Sequence, residues 1–167
     1  MGSQEPSARI APQYKASDGM DAARLLAIVG LTLDPWQSDV LCDWMGRDAA
    51  GRWAAPSCGG SVPRQNGKTL LLQGRAGSGM ILFNENVIYT SHLQKTSTET
   101  FNEMRDLFEH PALRSFVKDI KNALGREEIL LKSGARIKFL ARTRNGGRGQ
   151  HGDLLIFDEA QELDETA

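Results

Sequence analysis

From residue 53 onward, short apolar runs alternate with longer stretches of helical periodicity. This alternation is typical of a parallel sheet whose strands are joined by crossover helices, so it predicts an α/β domain. The runs with a strand pattern are residues 54–60, 87–91, 128–131, 136–141 and 154–157. The stretches with a helix pattern are residues 67–83, 94–109 and 111–121. Residues 132–135 are predicted to form the hairpin turn between two adjacent strands.

The N-terminal part of the chain predicts an arm followed by two helices. Residues 1–17 are polar, contain two prolines and lack periodicity, so we expect a flexible arm before a domain over residues 18–167. The first helix is predicted at residues 18–29. The second follows Asp34, which can cap it, and Gln37 has the spacing that completes a capping box.

Composition narrows the class of protein. The 167 residues are 40% hydrophobic and 25% charged, which fits one globular domain. The formal net charge is −1, yet residues 129–152 contain six basic residues and no acidic one, a distribution compatible with nucleic acid. No run approaches the ~20 apolar residues of a membrane span, and no secretory signal is visible. Cys42 and Cys58 have no metal-ligand spacing, so we expect reduced thiols in a cytoplasmic protein and no structural zinc.

The tripeptide Gly67-Lys68-Thr69 has the form of the end of a phosphate-binding loop between a predicted strand and a predicted helix. A helix that begins here would direct its N–H groups and positive dipole end at a phosphate. Lys68 would then reach the β- and γ-phosphates, and Thr69 would hold Mg²⁺. Val62 stands where the usual pattern has its first glycine. The tripeptide alone is therefore also compatible with an ordinary strand-to-helix turn.

Asp158 and Glu159 directly follow the apolar run at residues 154–157. A strand that ends in two acids matches a Walker B element, in which Asp158 would bind Mg²⁺ through water and Glu159 would deprotonate the attacking water. In isolation, two acids after a strand favour the start of a solvated loop. In combination with Gly67-Lys68-Thr69 they favour ATP hydrolysis, and the sequence has no Asn-Lys-x-Asp guanine-recognition motif.

The segments Val62-Pro-Arg-Gln-Asn-Gly-Lys-Thr69 and Asp158-Glu-Ala-Gln161 resemble the ATPase domain of the large terminase subunit of tailed bacteriophages, the motor that packages DNA into capsids. That family commonly has an Arg-Gln-x-Gly-Lys core without the first glycine, which accounts for Val62. Leu33-Asp-Pro-Trp-Gln37 and residues 141–142 and 147–149 are similar to the form in phages of actinobacteria. The resemblance implies an ASCE-type P-loop NTPase with a mainly parallel central sheet flanked by helices.

The resemblance also implies roles for residues around the nucleotide. Gln37 would read the adenine, and this role is compatible with its capping of the second helix. Within the loop, Arg64 would sense or contact the phosphates, and Gln65 and Asn66 would line the same cofactor site. The resemblance thus implies that Arg64, Gln65 and Asn66 bind the phosphates together with Lys68.

Three arginines, Arg142, Arg144 and Arg148, lie on a glycine-rich segment ahead of the predicted Walker B strand. Ring ATPases of the resembled family carry an arginine finger near this position. Arg148 is the preferred finger because Gly147 and Gly149 flank it, and Arg142 is the second choice. The alternatives are a solvated face or contacts to the nucleic-acid backbone.

By the same resemblance the cofactors are ATP and Mg²⁺, and the partners are double-stranded DNA, portal protein, small terminase subunit and sister subunits in a homo-oligomeric ring. The expected location is the cytoplasm of the infected bacterial host. Because the chain ends shortly after the Walker B strand, we expect a fragment without the family's coupling motif, lid and nuclease domain. Two other functions stay open: a helicase-like DNA-dependent ATPase, against which the Arg-Gln-Asn before Gly67 speaks, and a nucleotide-binding ring-assembly module without useful turnover.

Overall fold

The computed structural model describes residues 5–63, 65–142 and 151–162. The chain divides into two compact units, Met1–Arg75 and Ala76–Ala167, and the boundary falls within helix α3 (Lys68–Phe83). None of the helices in the described ranges is long and apolar enough to cross a membrane.

The first unit contains two short strands and two helices before α3. They are β1 (Ala16–Ser17), α1 (Gly19–Ile28), α2 (Pro35–Trp44) and β2 (Gly46–Arg47). Strand β1 pairs antiparallel with β2. The two predicted helices are confirmed, each starting directly after its aspartate, and Pro35 occupies the first position of α2, where a missing N–H costs nothing.

Helices α1 and α2 approach each other closely at Gly19. A Cβ atom at this glycine would lie 2.4 Å from the backbone nitrogen of Cys42, so any larger residue collides with the α2 backbone. The Ser17 hydroxyl donates to the Cys42 carbonyl at 2.7 Å and accepts from the Gly19 N–H at 3.1 Å. The first half of α3 packs on the same pair of helices, because a Cβ at Gly74 would lie 2.8 Å from Leu26.

Part of the predicted arm at residues 1–17 makes specific contacts. Arg9 donates two hydrogen bonds to the Asp43 carboxylate, at 2.7 and 2.8 Å, and the Tyr14 hydroxyl lies 3.3 Å from the same group. Residues 16 and 17 belong to β1. The flexibility of the arm stays a prediction, but its second half is held against α2 and β2.

The predicted strand at residues 54–60 is wrong. After Trp53 the chain forms bends and irregular structure, and residues 56–60 are exposed. Pro56 has no N–H to donate to a ladder, and the consecutive glycines at 59 and 60 weaken a strand. Ahead of the phosphate loop, Trp53 packs against two arginines instead. The centroid of its ring lies 3.3 Å from the Arg47 guanidinium and 4.9 Å from that of Arg75.

The second unit is built on a five-stranded sheet in the order β4-β5-β6-β3-β7. Its strands are β3 (Val87–Ser91), β4 (Val117–Lys121), β5 (Glu128–Leu131), β6 (Arg136–Ala141) and β7 (Leu154–Phe157). Its helices are α4 (Gln94–Glu109), α5 (Pro111–Arg114) and the 3₁₀ turn Ala160–Glu162. Strand β3 runs parallel to β6 and β7, whereas β4-β5 and β5-β6 are antiparallel. The sheet is mixed, so the expected mainly parallel character is not confirmed.

Most predicted elements of this unit are confirmed at their predicted bounds, including the strand at residues 87–91 and the helix at 94–109. The helix predicted at 111–121 is wrong: α5 ends at Arg114, and β4 follows it. Antiparallel pairing with β5 overrides the helical pattern, because it places Val117 beside Leu131 and buries Val117. The hairpin turn between β5 and β6 is confirmed.

The core of this unit lies between α4 and the sheet. Phe101 of α4 meets Phe139 of β6 edge-on, with ring centroids 5.5 Å apart, and Phe139 lies 5.6 Å from Tyr89 of β3. All three rings are almost fully buried. This aromatic row fixes the position of Tyr89 within the sheet and leaves its hydroxyl to find a polar partner.

The close approach at Gly19 makes a testable prediction. Gly19→Ala should lower the free energy of unfolding by about 1–3 kcal/mol, the usual cost of overpacking, although alanine is the better helix former. Urea denaturation measures the change. Gly59→Ala is the control because a Cβ there meets no atom within 4 Å, and it should shift stability by less than about 0.5 kcal/mol. Equal stability of the two variants would contradict the packing described for α1 and α2.

Candidate nucleotide-binding site

The predicted phosphate loop turns sharply into α3. Gln65 and Gly67 have positive φ angles of 62° and 75°, and the helix begins at the next residue, Lys68. Left-handed backbone is unfavourable for a residue with a side chain, so Gln65 is held in a strained conformation. Lys68 and Thr69 are half-buried in the first helical turn. The N-terminus of a helix directs N–H groups and a partial positive charge outward, which suits a phosphate.

Gln37 links this loop to the start of α2. Its side-chain N–H donates to the Gly67 carbonyl at 2.9 Å, and its side-chain oxygen accepts from the Asp34 N–H at 2.7 Å. The side chain is only 3% exposed. The structure therefore shows the helix-capping contact predicted for Gln37 and adds a second contact, to the loop. Its adenine-reading role stays a prediction.

Gly67 is required at its position for two reasons. Its φ angle of 75° is one that glycine adopts without strain, and a Cβ atom would lie 2.5 Å from the Gln37 amide nitrogen. The Gly67 carbonyl accepts from both the Gln37 side chain at 2.9 Å and the Leu71 N–H of α3 at 3.3 Å. The loop therefore has the bare backbone and the helix N-terminus that a phosphate group needs, and its residues fit that ligand.

The predicted acidic pair lies at the end of β7. Asp158 is buried, with 4% exposure, and its N–H donates to the Thr90 carbonyl at 2.9 Å. Its carboxylate accepts one hydrogen bond on each oxygen, from the Tyr89 hydroxyl at 2.7 Å and from the Glu159 N–H at 2.9 Å. A carboxylate oxygen has more than one acceptor site. Asp158 is thus oriented by donors on both oxygens of its carboxylate.

Tyr89 is a residue of this site that sequence reasoning missed. Burial, the negative charge of Asp158 and the hydrogen bond to it raise the pKa of the Tyr89 phenol far above its ordinary value, while a hydrogen bond from Thr100 opposes the shift. The phenol therefore remains a proton donor to Asp158 at any physiological pH. The two residues are 69 positions apart, so no local pattern joins them.

Glu159 occupies a turn that Arg142 holds. Glu159 has a positive φ of 52° and is half-buried. The Arg142 guanidinium donates to the carbonyls of Thr90, Asp158 and Glu159 at 3.2, 2.7 and 2.9 Å. Arg142, the second choice for an arginine finger, thus makes contacts within its own unit that the sequence did not indicate.

The described site residues fall into two groups. The structure brings Gln37 and Gly67 together at the phosphate loop, in the first unit, with Gln65, Asn66, Lys68 and Thr69 as its neighbours in sequence. It brings Asp158 and Glu159 together in the second unit. The predicted roles of Arg64, Arg144 and Arg148 concern residues outside the described ranges and stay predictions.

The Tyr89–Asp158 contact can be tested by removing one hydroxyl group. Tyr89→Phe removes a buried hydrogen bond to the Asp158 carboxylate, so it should lower the free energy of unfolding by about 1–3 kcal/mol. Tyr14→Phe is the matched control, because Asp43 keeps both hydrogen bonds from Arg9. Its effect should stay below about 0.5 kcal/mol. Urea denaturation that gave the two variants equal stability would refute the importance of the buried bond.

Comparison with known proteins supports the fold. No protein-family model matches the sequence, and no curated protein matches it. The structure is similar to the crystal structure of the HK97 bacteriophage large terminase, with a TM-score of 0.69 and 20% sequence identity. The match covers 88% of this chain and 32% of that chain, so this chain spans about a third of the terminase it matches. At this identity the likeness establishes a shared α/β fold.

Proposed function

We propose that this chain is the ATPase part of a viral DNA-packaging motor, which hydrolyses ATP to drive double-stranded DNA into a capsid. The observation that carries the proposal is the loop at Gly67-Lys68-Thr69. It turns into a helix N-terminus at Lys68, and Gln37 holds it by a hydrogen bond of 2.9 Å. The fold shared with a bacteriophage large terminase supports the assignment to packaging.

The phosphate loop would bind the triphosphate. MgATP, when bound, supplies the γ-phosphoryl group and the cation that neutralises part of its charge. Lys68 would place its ammonium against the β- and γ-phosphates, and the Thr69 hydroxyl would serve as a ligand of Mg²⁺. The neighbouring loop residues Arg64, Gln65 and Asn66 would contact the phosphates, and Gln37 would contact the adenine.

The two carboxylates of the acidic pair would have different roles, one toward Mg²⁺ and the other toward the attacking water. Asp158 is buried and held on both oxygens by donors, which suits a fixed acceptor for the waters of Mg²⁺. Glu159 is half-buried and makes its turn with a strained backbone. It would orient the attacking water and accept its proton as general base. Strained backbone at a residue with this role is common in active sites.

The remaining parts of the proposal concern partners. Arg148 would act as an arginine finger on the nucleotide of a neighbouring subunit in a homo-oligomeric ring. The basic side chains of the segment 129–152 other than Arg142 and Arg148 would contact the phosphates of double-stranded DNA. Portal protein and small terminase subunit are the further partners, in the cytoplasm of an infected bacterium.

The phosphate-loop assignment is tested at Lys68. Lys68→Ala should weaken MgATP binding by about 10- to 100-fold or more, because an ammonium that bonds to phosphate contributes a charge-assisted interaction. Isothermal titration calorimetry gives the affinity. Lys118→Ala, at an exposed position of β4, removes the same charge elsewhere and should leave the affinity unchanged. Wild-type affinity of the Lys68 variant would overturn the assignment.

The two acids should be separable by substitution. Glu159→Gln should bind MgATP as wild type does yet lose at least about 10²-fold in kcat, because the amide cannot accept the proton of water. Asp158→Asn should lose the dependence of nucleotide affinity on Mg²⁺. Titration with and without Mg²⁺, together with steady-state hydrolysis, measures both effects. Equal loss of binding in the two variants would show that Glu159 is not a separate base.

A further inference from the structure

Arg142 lies directly after β6, at the edge of the sheet where the parallel strands end. Its backbone N–H donates to the Ser91 carbonyl at 2.9 Å, which extends the pairing of β6 with β3 by one residue. Its side chain then crosses the end of β3 and reaches the end of β7, where it donates to the carbonyls of Asp158 and Glu159. One side chain therefore joins the ends of three adjacent strands.

The peptide unit held by Arg142 has an unfavourable conformation. Glu159 has a φ of 52°, and a residue with a Cβ atom keeps this conformation only when its surroundings enforce it. The Asp158 and Glu159 carbonyls, which lie on either side of the Glu159 Cα atom, accept from the same guanidinium at 2.7 and 2.9 Å. A planar group with several donors in fixed directions can satisfy both carbonyls at once.

We propose that Arg142 is a positioning residue: its guanidinium locks the Asp158–Glu159 turn in the left-handed conformation that fixes where the Glu159 carboxylate lies. The inference rests on the proposed function, in which Glu159 is the general base. Displacement of a catalytic group by about 1 Å can reduce the rate about 10²-fold, so the lock would act on kcat. Substrate affinity would change little, because the carbonyls that Arg142 holds belong to Thr90, Asp158 and Glu159, none of which is assigned to the phosphate loop.

The hydrogen bonds of Arg142 distinguish this role from that of an arginine finger. Both terminal nitrogens donate to backbone carbonyls of the same unit, and the Nε atom is buried without a hydrogen-bond partner among the described residues. A finger would have to give up three bonds to carbonyls to reach a phosphate. The geometry therefore favours a role within its own subunit.

Lysine is the informative substitution. Arg142→Lys keeps the positive charge, but a single ammonium cannot reproduce the planar fork that meets three carbonyls. Arg126→Lys is the matched control, because Arg126 lies in the same unit, ahead of β5, and is exposed. Both variants make the same chemical change within one unit, and of the two residues only Arg142 contacts the turn.

The experiment compares the wild-type chain, the two lysine variants, Glu159→Gln and the double variant Arg142→Lys/Glu159→Gln. Steady-state MgATP hydrolysis gives kcat and KM. Hydrogen exchange of the peptide that covers residues 154–162, measured without nucleotide, reports the turn directly, because the Asp158 and Glu162 N–H groups donate to the Thr90 and Glu159 carbonyls.

We expect Arg142→Lys to lower kcat about 10²-fold with KM within about twofold, and to speed exchange in this peptide about tenfold. The double variant should hydrolyse ATP no more slowly than Glu159→Gln alone, since both changes remove the same function.

The outcomes separate the inference from the function on which it rests. Arg142→Lys with wild-type exchange in this peptide would overturn the lock, and a lowered kcat in that case would identify an arginine finger instead. Faster exchange with wild-type kcat would overturn the catalytic part of the inference. A wild-type chain that binds no MgATP and hydrolyses none would overturn the proposed function, and localised fast exchange in Arg142→Lys would then still support the lock of the turn. Equal effects of Arg126→Lys would show that any arginine-to-lysine change in this unit has them and would count against the inference.

Discussion

The parallel pairing of β3 with both of its neighbours is the constraint on which the acidic half of the site depends. Parallel strands end at the same edge of a sheet, so Thr90, Arg142 and Asp158 meet there although they come from three separate segments. The antiparallel strands β4 and β5 lie on the other side of β6. Strand β3, whose Tyr89 ring packs against Phe139, also supplies the Tyr89 hydroxyl that donates to Asp158.

Sequence patterns predicted elements whose stabilisation is local or periodic. The strands at 87–91 and 136–141 and the helix at 94–109 were predicted at their observed bounds, because apolar spacing follows directly from which face is buried. The errors at 54–60 and 111–121 have one cause in common. In both cases the structure of a short segment depends on residues distant in sequence. Residues 117–121 form a strand because they pair with β5, whereas residues 56–60 pair with no strand in the described structure.

The parts of the candidate site that consist of adjacent residues could be predicted from the sequence. Gly67-Lys68-Thr69 and Asp158-Glu159 are short motifs, and a sequence is enough to find them. The contacts that hold these motifs in place could not be predicted in the same way, because they join residues far apart in sequence. Tyr89 reaches Asp158, and Arg142 reaches the next carbonyl, only because the sheet aligns segments far apart in sequence. Gln37 is an intermediate case, since its capping contact is local and its bond to Gly67 is not.

The two motifs are held by opposite physical means. The phosphate loop is exposed at residues 65–67, and the buried Gln37 amide holds it through the Gly67 carbonyl. The acidic turn is held from within, by a buried phenol on one carboxylate oxygen and by a guanidinium on two successive carbonyls. Charge-assisted bonds in such a buried network are strong, and the loss of one member leaves the others unsatisfied. The strained φ of Glu159 is therefore sustained by the same bonds that fix Asp158, and a change in either residue's support should be felt by both acids.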